Sequence, residues 1–195
     1  MNFSALILAG GQSSRMGRDK SRLEVAGQPL LARQIALARS VGAREVFVSA
    51  RTESDYSSFG CPVLLDTLAN AGPLAGVERG LATARTPFLL VLAVDLPRLH
   101  AGFLHRLAAA CTDATGVVPE IRGRLEPLAA LYPTRAHPLA EHALQAGLFA
   151  VRDFVSACRS QGLVNLHPVA SADESCLLNW NSPGDLDDRS GTIQV

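Results

Sequence analysis

The chain has no excess of charge of either sign. Its 195 residues contain 18 Lys and Arg and 18 Asp and Glu, which gives a formal net charge of zero. A chain without an overall field lacks the electrostatic attraction that draws proteins to nucleic acid or to an anionic membrane. We therefore predict no nucleic-acid partner and no membrane, and expect a small ligand held by local charges.

Cysteine is scarce and long apolar runs are missing. The four cysteines are far apart and form no CxxC pair, so their spacing indicates neither a zinc site nor a disulfide framework. No apolar run reaches the roughly 18 residues of a membrane-spanning helix, and the first residues lack the basic region of a signal peptide. These absences predict a cytoplasmic protein with reduced thiols.

Several familiar catalytic motifs are also missing. The chain contains neither GxxxxGK[ST] nor GxGxxG, which disfavours a P-loop ATPase and a dinucleotide-dependent oxidoreductase. Its serines show no GxSxG turn, and its histidines do not have the i, i+4 spacing of a zincin helix. The chemistry of the chain must therefore lie in another arrangement.

The chain does contain an alternation of apolar runs with helical patterns. Runs typical of buried parallel strands cover residues 5–9, 45–49, 62–66 and 88–95. Apolar residues at helical spacing lie between them, as at Leu31, Ile35 and Ala38. This alternation predicts an α/β fold with a mostly parallel sheet, and the length fits a single domain over residues 1–195.

The alternation of strands and helices changes in the C-terminal half. Two apolar runs there are joined by a polar, hairpin-like segment at 120–124, which predicts an antiparallel element in the sheet. Ser182 and Pro183 predict the start of a last short helix. The other elements predicted after residue 115 are strands over 116–119, 128–132 and 163–167 and helices over 138–146 and 151–159.

A glycine-rich turn and three cations follow the first predicted strand. Gly10 and Gly11 have no Cβ, so their backbone N–H groups can approach phosphate oxygens closely. Arg15, Arg18 and Lys20 place three positive charges within six residues, where they can neutralise the β- and γ-phosphates of a nucleotide. The segment predicts a triphosphate site, and the alternative is a plain βα turn with solvated cations.

Two aspartates end predicted strands at one edge of the sheet. Asp95 closes residues 87–95, which contain no other charge, and its carboxylate is a natural ligand for Mg²⁺ shared with substrate phosphates. The alternative is an aspartate that caps its own loop. Asp66 either accepts hydrogen bonds from a base or only terminates its strand. Ligands of open α/β sheets bind at the carboxyl ends of the strands, so both aspartates belong to one candidate crevice.

Three further motifs are candidates with structural alternatives. Gly72 and Pro73 begin a predicted helix whose small residues leave room for a ligand at its N-terminus, or serve packing alone. The polar pairs Glu126-Pro127 and Asn179-Trp180-Asn181 flank apolar strands. By spacing alone such pairs are more typical of turns and caps than of ligands.

Taken together, these motifs resemble the nucleotidyltransferases of the molybdenum cofactor guanylyltransferase family. The resemblance begins with the segment from Leu8 to Lys20 and continues in the family's order over nearly the whole chain. The later matches are Gln28-Pro29-Leu30, Asp66, Gly72-Pro73-Leu74-Ala75-Gly76, Asp95-x-Pro97, Glu126-Pro127 and Asn179-x-Asn181. Ser49 stands where members of the family can carry Asn as a nucleotide contact.

The resemblance implies a three-layer Rossmann-like nucleotidyltransferase fold and transfer of GMP from GTP to molybdenum-loaded molybdopterin, with Mg²⁺ as cofactor. The nucleotide-binding residues that it implies are Leu8, Ala9, Gly10, Gly11, Arg15, Lys20, Ser49, Asp66, Gly72, Pro73 and Asp95. Within this set it implies catalytic roles for Arg15, Lys20 and Asp95, with Asp95 as the metal ligand. The acceptor-binding residues that it implies are Glu126, Pro127, Asn179 and Asn181.

Two alternatives to this function stay open. One is a related nucleotidyltransferase that uses CTP or another phosphate acceptor, and the other is a non-catalytic nucleotide-binding adaptor. The two glycines at 10 and 11 and the Gly-Pro-Leu-Ala-Gly motif favour the guanine-using branch of the family. The three catalytic candidates together argue against an adaptor. The expected partners are GTP, molybdopterin, and a molybdoenzyme or cofactor chaperone that receives the product.

Overall fold

A computed structural model of the chain describes residues 1–9, 20–50, 56–66, 68 and 70–180. The strands in these ranges are β1 (Phe3–Leu8), β2 (Glu24–Val25), β3 (Gln28–Pro29), β4 (Val46–Ala50), β5 (Val63–Leu65), β6 (Phe88–Ala93), β7 (Gly116–Ile121), β8 (Arg124–Leu125), β9 (Ala129–Pro133) and β10 (Val164–Pro168). The α-helices are α1 (Leu30–Ser40), α2 (Pro73–Thr83), α3 (Ala101–Ala109), α4 (His137–Gln145) and α5 (Val151–Ser160). Short 3-10 helices cover Lys20–Arg22, Ser57–Phe59, Thr134–Ala136 and Ser171–Leu177.

Eight of these strands form one twisted sheet. Its order is β5-β4-β1-β6-β9-β7-β10, and β8 pairs with β7. The strands β5, β4, β1 and β6 run parallel to one another, whereas β9 runs antiparallel to both of its neighbours. The structure thereby confirms the predicted, mostly parallel sheet with an antiparallel element in the C-terminal half.

Helices cover both faces of this sheet, because successive strand residues point to opposite sides. In β1, Ile7 packs in a cluster with residues of α1 and α3, whereas its neighbour Leu6 packs in a second cluster with residues of α2, α4 and α5. Near-continuous apolar strands of this kind are typical of sheets buried on both faces. The predicted three-layer α/β fold is confirmed.

Three details differ from the sequence predictions or lie beyond them. The run 88–95 was predicted as strand throughout, but β6 ends at Ala93, and Val94 and Asp95 form a turn. The ribbon of β2 and β3 was not predicted; it turns at Ala26 and Gly27, both at positive φ. The predicted last helix, at Ser182 and Pro183, lies outside the described residues. None of the helices in the described ranges has the length and apolarity needed to cross a bilayer.

Candidate nucleotide-binding site

The sheet has a topological switch point between β1 and β6. From β1 the chain proceeds to β4 and β5 on one side, then crosses to β6 on the other side. Because the strand order reverses here, the carboxyl ends of these two strands border the place where ligands of open α/β sheets bind. Leu8 and Ala93, paired in the register of β1 and β6, mark the floor of the candidate crevice.

Four parallel strands end in one row at this edge. Their paired residues are Leu64 in β5, Ser49 in β4, Leu8 in β1 and Ala93 in β6. Neighbouring strands lie about 4.8 Å apart, so the row spans roughly 14 Å. Asp66 and Asp95 each come two residues after a member of the row, at its two ends. The structure therefore brings both predicted aspartates to the same edge but keeps their backbones apart.

The end of β1 is held from both sides. The Ala9 N–H donates a hydrogen bond of 3.0 Å to the carbonyl of Ser49, and the Leu8 carbonyl accepts one of 3.2 Å from the N–H of Val94. Ala9 itself is buried. These bonds fix the backbone of Leu8 and Ala9, the last described residues before the glycine-rich segment. The predicted site residues Gly10, Gly11 and Arg15 and the side chain of Lys20 lie outside the described part of the chain.

Ser49 and Asp66 are joined by their side chains. The Ser49 hydroxyl donates to Oδ1 of Asp66 across 3.0 Å. Ser49 is only 3% exposed, whereas Asp66 is half-buried at the rim of the crevice. The Asp66 N–H in turn donates to the carbonyl of Ala50 across 3.1 Å. Asp66 is therefore held through its backbone and its carboxylate by adjacent residues of β4.

The helix α2 begins where the sequence predicted. Gly72 precedes it at φ +66°, a left-handed value that favours glycine, and Pro73 is its first residue. One turn on, Gly76 faces the row of strand ends. A Cβ at this position would lie 2.3 Å from the Ser49 Oγ and 2.7 Å from a methyl carbon of Leu8. The backbone of α2 thus touches the site so closely that no side chain fits between them.

Asp95 sits on a turn anchored by two distant parts of the chain. Its carbonyl accepts a hydrogen bond of 2.8 Å from the N–H of Trp180, and the carbonyl of Leu96 accepts one of 2.8 Å from Nε2 of Gln34. Asp95 is half-buried. Sequence reasoning missed the part played by Gln34. The signal was present, because Gln34 is a polar residue on the otherwise apolar face of α1 that includes Leu31 and Ile35.

The acceptor candidates lie on the other side of Asp95. Leu128 follows Pro127, and its carbonyl accepts a hydrogen bond of 2.7 Å from the N–H of Ala93. Because β9 is antiparallel to β6, its beginning lies at the same edge as the end of β6. Asn179 is exposed and precedes Trp180. The structure brings Glu126 and Pro127 to this side and Asn179 near Asp95, and Asn181 lies outside the described residues.

Buried contacts fix the turn that carries Glu126. The Tyr132 hydroxyl, on a side chain with no exposed surface, donates to the Pro127 carbonyl across 2.8 Å. The Glu126 carboxylate forms an ion pair of 2.8 Å with Arg124. Burial raises the pKa of Glu126 above its usual value, and the Arg124 guanidinium opposes this rise only in part. Glu126 is thus a partly desolvated carboxylate at the rim of the site.

The residues at Asp95 suit a magnesium ion shared with a substrate. The described residues contain no group of three or more His, Cys, Asp or Glu able to form an all-protein metal cage. Mg²⁺ retains several waters and is usually bound by one or two carboxylates together with substrate phosphates. A single half-buried carboxylate at the rim of the crevice fits this kind of metal binding.

The chain is similar to proteins of a known family over most of its length. The profile described as "MobA-like NTP transferase domain" matches residues 5–161. A protein from Opitutus terrae named "Probable molybdenum cofactor guanylyltransferase" is 38% identical over 192 residues, which cover 95% of each chain. This relationship spans the strands, α2 and both sides of the candidate site.

Solved structures share the same fold. Molybdopterin-guanine dinucleotide biosynthesis protein A from Archaeoglobus fulgidus superposes with a TM-score of 0.73 at 21% identity, covering 94% of this chain and 95% of the other. The 2-C-methyl-D-erythritol 4-phosphate cytidylyltransferase from Thermus thermophilus superposes with a TM-score of 0.72 at 24% identity, covering 96% of both. At these identities the likeness establishes the fold, a nucleotidyltransferase fold. The profile match and the close relative establish more: the chain belongs to the molybdenum cofactor guanylyltransferase family of MobA-like NTP transferases.

Proposed function

We propose that this chain transfers GMP from GTP to the terminal phosphate of molybdenum-loaded molybdopterin and releases pyrophosphate. The observation that carries the proposal is the order of groups along the sheet edge. Leu8, Ser49 and Asp66 lie on one side of Asp95, Glu126 and Pro127 lie on the other, and Asn179 is near Asp95 itself. A transfer between two bound substrates needs two adjacent binding regions with the charge-stabilising groups between them.

The choice of GTP rests on sequence rather than on fold. A cytidylyltransferase has the same fold, so the architecture alone does not select the base. The relative named as a guanylyltransferase matches over almost the whole chain. The Gly-Pro-Leu-Ala-Gly motif at 72–76 and the glycine pair at 10 and 11 also favour guanine. These observations support GTP as the donor.

In the proposed reaction the chain binds and orients but does not react. An oxygen of the acceptor phosphate forms a bond to the α-phosphorus of GTP, and the bond from this phosphorus to the bridging oxygen breaks. Pyrophosphate leaves with the electron pair. We assign the nucleotide to Leu8, Ala9, Gly10, Gly11, Asp66, Gly72 and Pro73, with Ser49 in the same binding region. Arg15 and Lys20 offset the negative charge on the leaving pyrophosphate.

We assign Mg²⁺ to Asp95 as the cofactor. When bound there with the triphosphate, the ion supplies positive charge that neutralises the phosphate oxygens. Asp95 contributes a carboxylate. The N–H of Trp180 bonds to the carbonyl of Asp95, and the side chain of Gln34 bonds to the carbonyl of the next residue, Leu96. These anchors keep the carboxylate between the nucleotide side and the acceptor side. The family supports a nucleotidyltransferase, and the identity of the metal is part of the proposal.

The acceptor side and the extent of the domain complete the proposal. Glu126, Pro127, Asn179 and Asn181 bind the molybdopterin. The profile match ends at residue 161, yet β10 follows it and pairs with β7, which supports one nucleotidyltransferase domain over 1–195. A molybdoenzyme or a cofactor chaperone receives the product. A cytoplasmic location stays a prediction from the sequence.

Pyrophosphate release with each of the four nucleoside triphosphates tests the proposal. The assay is run with Mg²⁺, in the presence and absence of molybdenum-loaded molybdopterin. We expect release that requires both GTP and the acceptor. A preference for CTP would assign the chain to a cytidylyltransferase activity. Nucleotide binding without any release would identify the adaptor alternative.

A further inference from the structure

We infer that Ser49 is a positioning residue that acts through Asp66 and thereby sets the selection of guanine over other bases. The inference rests on the proposed function, since it assumes that the base of GTP lies against Asp66. It differs from the direct nucleotide contact that the family resemblance implies for residue 49. In this chain the side chain at 49 is too short and too enclosed for that contact.

The hydrogen-bond geometry of Ser49 supports an indirect role. A serine hydroxyl carries a single hydrogen, and in Ser49 this hydrogen is donated to Oδ1 of Asp66 across 3.0 Å. The residue is 3% exposed, and its carbonyl is already engaged by the N–H of Ala9. Ser49 therefore has no second donor for a nucleotide, and its polar groups face neighbouring strands.

The helix α2 closes the space around the hydroxyl. A Cβ at Gly76 would lie 2.3 Å from the Ser49 Oγ and 3.1 Å from the Ser49 Cβ. The space that a side chain at 76 would fill is thus occupied by the hydroxyl itself. This close approach restricts the rotamers of Ser49 and keeps the hydroxyl directed at Asp66.

The chemistry of the Asp66 carboxylate fits guanine. An ionised carboxylate only accepts hydrogen bonds and has about four lone-pair sites, so it can accept from several donors at once. Guanine presents two adjacent donors, the ring N1–H and the 2-amino group, which match the two oxygens of one carboxylate. Cytosine and adenine present a ring acceptor at this edge, which a carboxylate repels.

Apolar surface lies next to this carboxylate. Leu65 and Leu68, on either side of Asp66 in the sequence, are 50% and 43% exposed. Small-molecule sites combine apolar walls with a few polar groups that fix orientation. A carboxylate flanked by exposed leucines at the rim of the crevice has this composition. Holding the carboxylate in one orientation is what Ser49 contributes.

Nucleotide binding by the whole chain tests the inference, with ITP as the probe because inosine lacks only the 2-amino group. Affinities for GTP, ITP and CTP are measured by titration calorimetry on the unchanged chain and on Ser49→Ala. We expect the unchanged chain to bind GTP about tenfold more tightly than ITP, since a hydrogen bond to a charged acceptor is lost. In Ser49→Ala this preference should narrow to about threefold or less.

Ser4→Ala is the matched control. Ser4 is a buried strand serine at the opposite edge of the sheet, where its hydroxyl bonds Glu45 at 3.0 Å and Thr86 at 2.9 Å. Its loss should lower stability but leave the preference for GTP over ITP unchanged. A second arm uses Asp66→Asn: if Ser49 acts through Asp66, adding Ser49→Ala to this variant should change the preference no further.

The outcomes separate the inference from the proposed function. If the ratio of the affinities for GTP and ITP is the same in the unchanged chain and in Ser49→Ala, the inference is overturned and the proposed function stays intact. Equal binding of GTP and ITP by the unchanged chain overturns the inference as well. Binding of CTP as tightly as GTP contradicts the proposed function itself.

Discussion

At the scale of single residues, Asp95 lies between the two halves of the proposed site. It lies two residues beyond Ala93, which pairs with Leu8 on the nucleotide side and donates its N–H to the Leu128 carbonyl on the acceptor side. Asp66 lies at the far end of the same row of strand ends. A carboxylate in the first position suits a metal ion shared with substrate phosphates, and one in the second suits a base.

Asp95→Ala should reduce turnover by a factor on the order of 10²–10³ or more, because a principal electrostatic stabiliser is removed. The measurement is pyrophosphate release from GTP with acceptor at limiting Mg²⁺. Asp113→Ala is the control, since Asp113 is an exposed aspartate in the connection from α3 to β7. Near-normal turnover of Asp95→Ala at limiting Mg²⁺ would show that the metal assignment is wrong.

The sequence predicted which residues belong to the candidate site, but not which hydrogen bonds hold them in place. The positions of Asp66 and Asp95 follow from strand ends, which apolar runs reveal. The bond from Ser49 to Asp66 joins residues 17 positions apart, and the anchor from Gln34 to Leu96 spans 62. Such pairs depend on strand order and on rotamers, neither of which a single sequence specifies.

At the scale of elements, α2 is the helix that shapes the site. Its glycines at 76 and 80 both lie against β1: a Cβ at Gly80 would be 2.8 Å from a methyl carbon of Leu6. The two positions differ in what they contact toward the crevice. The atom nearest to a Cβ at Gly76 is the Ser49 hydroxyl oxygen, whereas the three nearest to a Cβ at Gly80 belong to the core leucines Leu6 and Leu89.

Gly76→Ala and Gly80→Ala should each lower the free energy of unfolding by about 1–3 kcal/mol, the usual cost of overpacking a core. This cost exceeds the gain of up to about 1 kcal/mol in helix propensity. Only Gly76→Ala should also narrow the preference for GTP over ITP, because it displaces the Ser49 hydroxyl. Urea unfolding and nucleotide titration measure the two effects. An unchanged preference in Gly76→Ala would contradict the packing account.

Element types were predictable, and element ends less so. Pro73 begins α2 as expected, because proline fits the first turn of a helix. The strand β6 stops at Ala93 although the apolar run continues to Val94. There the backbone turns, with the Val94 N–H bonded to the Leu8 carbonyl. An apolar pattern indicates which residues are buried but not their backbone conformation. Val94 is buried in a turn as fully as it would be in a strand, so the pattern does not mark the end of β6.

At the scale of the whole molecule, the four thiols make the free energy of unfolding change with pH in the alkaline range. Burial raises the pKa of Cys111 and Cys176 to about 11 and that of Cys158 to about 12, from 9.0. Burial also raises the pKa of Cys61, and Arg39 opposes this rise. Above pH 9 the unfolded chain loses thiol protons that the native chain keeps, so the thiol contribution to stability falls as pH rises through these values.

Urea unfolding under reducing conditions should therefore show a lower midpoint at pH 10 than at pH 8. In Cys158→Ala the midpoint at pH 8 should be lower, because a buried side chain is truncated, but the decline toward pH 10 should be shallower. A midpoint that does not change between the two pH values in the unchanged chain would contradict burial of the thiols.

The sequence predicted the fold class of the sheet but not the order of its strands. Alternating strands and helices indicated parallel βαβ units. The two apolar runs after residue 115, joined by a hairpin-like segment, indicated the antiparallel element. That β9 inserts between β6 and β7 is a matter of long-range pairing. This insertion brings Glu126 and Pro127 beside the end of β6. The acceptor side of the site therefore depends on a feature of the fold that local patterns do not encode.

The fate of labelled GTP tests the central claim most directly. The chain is incubated with Mg²⁺, molybdenum-loaded molybdopterin and GTP labelled at either the α- or the γ-phosphate. The account predicts that the α-label appears in a guanine dinucleotide of molybdopterin and the γ-label in pyrophosphate, in equal amounts. Release of the γ-label as inorganic phosphate, or an α-label that stays in GMP or GTP, would contradict it.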